Sequence, residues 1–142
     1  MNRLVHIAAL ALMVAFPTFA ETTNHLEVLK KSNWFATSGG FANATTSEGH
    51  AVAAICQETN AATTFGSLLR ERGATQQLYG LLGLHLVNAP EFRGALPRFL
   101  ESKEKVRVLV GCIAGEWEVR EVARQIEKGQ WNPRVAPVPG EK

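Results

Sequence analysis

Cys56 and Cys112 are the only cysteines in a chain of 142 residues, and what they can do depends on the compartment. In oxidising surroundings, two cysteines in one small domain are expected to pair. Closing the loop from 56 to 112 would contribute roughly 4 kcal/mol through lost unfolded-state entropy. Both also fall in apolar stretches, so the alternative is a pair of buried thiols acting as small hydrophobes. As a nucleophile, either sulfur would need His50 or His85 as its base. Cys56 lies six positions after His50, which is not the same face of a helix. No Cys-x-x-Cys or His-x-x-x-His spacing occurs, so no metal ligand is assigned. No catalytic or cofactor-binding residue is assigned either, and no cofactor is expected.

The carboxylates narrow the chemistry further. All 13 acidic residues are glutamate and none is aspartate. The usual Ser-His-Asp relay, paired-Asp protease site and Asp-based calcium loop are therefore excluded. Glu116, Glu118 and Glu121 alternate with Arg120 and Arg124 in the pattern of a solvated helix face. Paired glutamates can hydrolyse glycosides, but that reaction uses a large cleft, more than so short a chain offers. Gly80 and Gly83 sit within a leucine-rich stretch, where close helix packing explains them better than a phosphate loop. A net charge of +2 with 20% charged residues argues against a nucleic-acid or membrane-surface partner. The third chemical resource is aromatic. Trp34, Phe35 and Phe41 surround Ser38-Gly39-Gly40 and are the candidate partner-binding residues, unless the segment folds back and buries them.

Which elements position these groups follows from the hydrophobic pattern. Residues 1–20 combine Arg3, an apolar run from Leu4 to Phe16 and small residues ending at Ala20, as in a secretory signal peptide. The run is too short for a membrane span, which takes roughly 20 residues. A periplasmic or secreted location is expected, with no span in the mature chain. Residues 21–46 read as an N-terminal helix, capped by Asn24 with Glu27 in its first turn, and a flexible loop. Residues 47–129 read as a helical domain. Val52, Ile55 and Cys56 share one face, Phe65, Leu68 and Leu69 another. Leu78, Leu81, Leu82 and Leu86 mark the most buried helix. Asn88 and Pro90 are read as the cap and first-turn proline of the next helix, which Pro97 should kink or divide. Residues 130–142 carry three of the six prolines and are expected to be a disordered tail.

The stretch Val106-Arg107-Val108-Leu109-Val110 is open to two readings. Its β-branched alternation fits a short strand, while Val108, Leu109, Cys112 and Ile113 fit a helix. Helix is favoured because a lone strand leaves its edges unpaired and no second clear strand is present. The fold expected is therefore all-α, a compact bundle of antiparallel helical hairpins. Leu81-Leu82-Gly83-Leu84 and Leu109-Val110-Gly111-Cys112 each follow a helix bearing a phenylalanine. On these motifs, residues 47–129 resemble HEAT-like helical-repeat domains, and that resemblance implies a protein-binding scaffold. In size, leader, helix content and two cysteines the chain also looks like type VI secretion amidase immunity proteins. The function expected is an exported, non-enzymatic, protein-binding module that inhibits a periplasmic toxin. The alternatives are a cell-envelope enzyme centred on Glu116 or His85, and a structural accessory of the envelope.

Overall fold

The computed structural model describes residues 24–40, 42 and 44–133. The signal peptide expected over 1–20, the tail beyond 133 and Phe41 lie outside the described residues. Six helices appear among the described residues: α1 (His25–Lys31), α2 (Ser47–Ile55), α3 (Ala61–Leu68), α4 (Ala74–Leu86), α5 (Glu91–Glu101) and α6 (Val119–Glu127). They are joined by four strands, β1 (Ser38–Gly39), β2 (Ala44–Thr45), β3 (Lys105–Val110) and β4 (Ile113–Glu118), in two antiparallel sheets. The all-α expectation is thus overturned, and the fold is mixed α and β.

Several helix ends follow from local chemistry. The Asn24 side chain accepts a hydrogen bond from the Glu27 amide at 3.3 Å, and Lys30 and Lys31 occupy the last turn of α1, where the helix dipole favours cations. The Thr46 hydroxyl accepts from the Gly49 amide at 3.0 Å and opens α2. Asn88 does a different job from the one its sequence context suggests. It closes α4 instead of opening α5, in the left-handed region at φ +53°. Its amide donates to the His85 carbonyl at 3.1 Å and the Ala89 amide to Leu84 at 3.0 Å. Those paired bonds form a Schellman motif, and asparagine after glycine tolerates its backbone conformation best. Helix α5 runs on through Pro97, an exposed position.

Helix α4 is the centre of the molecule. Leu78, Tyr79, Leu81, Leu82 and Leu84 are all fully buried, and α3, α5 and α6 pack directly against this helix. Its two inner glycines make the approach of α3 close. A β-carbon at Gly83 would lie 2.0 Å from the Phe65 ring, and one at Gly80 would lie 2.7 Å from the Phe65 carbonyl. The close-packing reading of this pair is what the structure shows.

The hairpin formed by β3 and β4 replaces the helix expected over 106–113. The strands pair from Lys105 opposite Glu118 to Val110 opposite Ile113. The two-residue turn between them starts at Gly111, φ +57°, as a type II′ turn requires. Val106 and Val108 point into the core while Lys105 and Arg107 stay exposed, the period of two that marks a half-buried strand. The other edge of β3 is also used. The Phe35 amide donates to the Arg107 carbonyl at 2.8 Å and the Leu109 amide to the Phe35 carbonyl at 3.1 Å. Further along, the Gly40 amide donates to Gly111 at 2.9 Å. The segment from Phe35 to Gly40 therefore lies parallel to β3 and links the two sheets.

With the hairpin in place, the second motif of the HEAT-like comparison, Leu109–Cys112, lies on a strand and its turn. A second helical unit matching Leu81–Leu84 is not formed there. The expected disulfide is corrected for the same reason. Cys112 is exposed in the hairpin turn, Cys56 follows α2 and packs partly buried against the core, and no disulfide joins them. Both sulfurs are expected to react with a thiol reagent in protein denatured without reductant. One intact disulfide per chain in that assay would contradict the geometry.

Candidate functional site

The aromatic residues around the first sheet are divided by the fold. Phe35 is fully buried, with its ring 4.9 Å from Tyr79 and 5.0 Å from Trp131. Trp34 is half-buried, and the Arg107 guanidinium lies over its ring at 3.9 Å, a cation–π contact. One neighbour faces inward and the other outward because the segment runs extended beside β3, which alternates its side chains.

Tyr79 ties this segment to the central helix. Its hydroxyl donates to the Trp34 carbonyl at 2.7 Å and accepts from the Ala36 amide at 3.0 Å. Burial pushes the phenol well above its ordinary ionisation range, and the nearby Glu48 carboxylate adds to that effect. The hydroxyl therefore stays protonated as a structural donor. Trp131 closes the other side of Phe35. It holds φ +69°, a costly conformation for so bulky a residue. Contacts with Phe35 and Trp117 and a 2.9 Å hydrogen bond from its indole to Gln125 offset that strain.

The charged run from Glu116 to Arg124 does not form one helix face. Glu116 stands opposite Arg107 on the hairpin. Glu118 ends β4, and its carboxylate meets Lys105 at 3.7 Å and also pairs with Arg120. The Glu118 amide donates to the Glu121 carboxylate at 3.2 Å. This cluster fastens the base of the hairpin to the first turn of α6, so its charges are used in structure.

Among the described residues, two features stand outside these contacts. The first is the outer end of the hairpin. Val110 is 45% exposed and Ile113 77%, and they are the exposed large hydrophobics among the described residues. They face each other across the strands on the same pleat as Val106, Val108 and Trp117, so the apolar face of the hairpin continues beyond the edge of the core.

The second is a cleft of about 540 Å³ where the end of α4 meets the start of α5 and the end of α6. Leu84, Ala89, Phe92 and Leu96 give it apolar walls, and His85, Asn88, Arg93 and Glu127 supply polar heads. The His85 and Phe92 rings lie 4.7 Å apart and tilted. The lining provides an imidazole and a carboxylate, which can move protons, but no hydroxyl, thiol or amine nucleophile. Glu127 was hidden from sequence reasoning because it lies 42 positions beyond His85. Only the return of α6 along α4 brings the two to one cleft.

No group of three or more His, Cys, Asp or Glu among the described residues could hold a metal ion. No helix among them is long and apolar enough to cross a membrane. Searches against family models, curated proteins and solved structures give no match to the chain.

Proposed function

We propose that this chain is an exported protein-binding module whose specific role is to inhibit a toxin acting in the periplasm. The observation that carries this reading is the projecting hairpin end, where Val110 and Ile113 are exposed side by side. A two-residue turn flanked by two exposed apolar side chains can be covered by a cleft on another protein. Burying one such side chain in a partner is worth roughly 1.5–3 kcal/mol, so two of them can act as the anchor of an interface. The pairing of β3 with both β4 and the Phe35–Gly40 segment holds the projecting end rigid. A preorganised element of this kind loses little freedom on binding.

The test uses the purified protein and a variant carrying Val110→Asp and Ile113→Asp. Both positions are exposed, so the variant is expected to fold, with a thermal midpoint lowered by several degrees at most, since cross-strand pairs such as these facing carboxylates carry only about 0.2–1 kcal/mol. Wild-type protein is expected to retain one saturable protein from periplasmic extract. The double variant should lose it by about 100-fold or more in affinity, the equivalent of 3 kcal/mol or so. The inhibitor reading further expects the retained protein to be toxic when exported alone and harmless when wild type is co-expressed. Equal retention by both proteins, or a retained partner without toxicity, would overturn it.

A further inference from the structure

The cleft between α4, α5 and α6 lies at the opposite end of α6 from the hairpin: β4 runs into α6 at Val119, whereas Glu127 is its last residue. The protein-binding reading leaves it without a role. We propose that it binds a short, free peptide with apolar side chains, its carboxylate at Arg93 and its ammonium group at Glu127. Arg93 comes from the first turn of α5 and Glu127 from the end of α6, so opposite charges stand on different walls. Among the described residues, neither belongs to an ion pair. A simple anion would leave Glu127 facing like charge, and a simple cation would do the same at Arg93. A zwitterion satisfies both.

The body of the ligand is set by the walls. Phe92, whose ring is tilted against that of His85, and Leu96 offer apolar surface for a side chain, and the side-chain amide of Asn88 is available to a peptide group. Asn88 is held in place because its own backbone closes α4. The volume sets the length. A cleft of about 540 Å³ is roughly 8 Å across if equidimensional, and about two extended residues span roughly 7 Å. That size lies within the common range of small-ligand clefts, and apolar walls with a few polar heads are their usual composition.

The experiment is a calorimetric titration of the full protein with leucyl-leucine, its N-acetyl derivative and its C-terminal amide. Saturable binding of the free dipeptide is expected. Each blocked form should bind roughly fivefold more weakly, the upper end for ion pairs at exposed positions. Arg93→Gln should abolish the discrimination against the amide and keep that against the acetyl form, while Glu127→Gln should do the reverse. Both residues are exposed, so folded variants are expected. The variant with Val110→Asp and Ile113→Asp should bind the dipeptide like wild type, which separates this site from the hairpin. Absence of saturation at millimolar peptide, equal affinity for free and blocked forms, or discrimination that survives both substitutions would overturn the proposal.

Discussion

Replacing Tyr79 with phenylalanine is expected to destabilise the protein by about 2–4 kcal/mol, although only one oxygen is removed. That oxygen accepts from the Ala36 amide and donates to the Trp34 carbonyl in the interior. A net hydrogen bond contributes roughly 1 kcal/mol, but a buried polar group left without a partner costs about 1–3 kcal/mol. The Ala36 amide makes no bond to β3, because the amide and carbonyl of Phe35 make those bonds, to Arg107 and Leu109. The substitution therefore strands one donor and weakens the tie between the Phe35–Gly40 segment and α4. Urea denaturation checks the magnitude, and a loss below about 0.5 kcal/mol, the size of an ordinary surface change, would contradict it.

The same residue gives the protein a pH dependence of known sign. Burial raises the folded-state phenol above its ordinary value of 10.0, while the unfolded phenol ionises near that value. Its contribution is complete below about pH 10 and is lost as the pH climbs toward the folded value. Above pH 10 the unfolded chain binds fewer protons, so stability falls by up to about 1.4 kcal/mol per pH unit. Tyr79→Phe removes this slope. The stability difference between wild type and variant should therefore shrink as the pH is raised from about 10 to about 11, and a constant difference would count against the buried phenol.

Gly83→Ala is the second large effect, expected to cost about 2 kcal/mol or more. In an exposed helix the same change stabilises by roughly 1 kcal/mol. Here the new methyl would stand 2.0–2.3 Å from three atoms of the Phe65 ring, and that ring is fully buried. Either the ring leaves its pocket or α3 moves away from α4, and overpacking of this kind costs about 1–3 kcal/mol, occasionally more. Gly66→Ala, one residue along from Phe65, is the control. No atom lies within 4 Å of its added β-carbon, so a gain of up to about 1 kcal/mol is expected. Adding Phe65→Leu to Gly83→Ala should recover part of the loss. If the two substitutions cost the sum of their separate effects, the steric account fails.

Much of the helical framework was legible in the chain. Asn24 caps α1, the leucines from 78 to 84 form the central helix, and Gly80 and Gly83 mark its close approach to α3. These are local signals: a cap acts within one turn, and apolar periodicity reports a face whatever covers it. The hairpin was not legible. Val106–Val110 alternates correctly, but its partner, Ile113-Ala114-Gly115-Glu116-Trp117-Glu118, has few β-branched residues. Its glutamates also line up with Arg120 and Arg124 in helical spacing. Asn88 misled for a related reason, since asparagine serves both helix starts and left-handed helix ends. Of the aromatic cluster, Trp34 and Phe35 could be nominated from composition. Which of them is buried follows only from the bond between Phe35 and β3.

The order of residues along the chain carries the inventory and the local grammar. It has no aspartate, two cysteines, a set of capped amphipathic helices and one stretch with the period of a strand. Tertiary structure decided what those pieces do together. It set Cys112 on an exposed turn away from Cys56, spent Glu118 on two cations, and left Val110 and Ile113 bare. It also carried Glu127 to the cleft that holds His85. Each of these is a pairing between residues distant in the chain. Propensity and periodicity act over a few residues, whereas such pairings form only when the whole core closes.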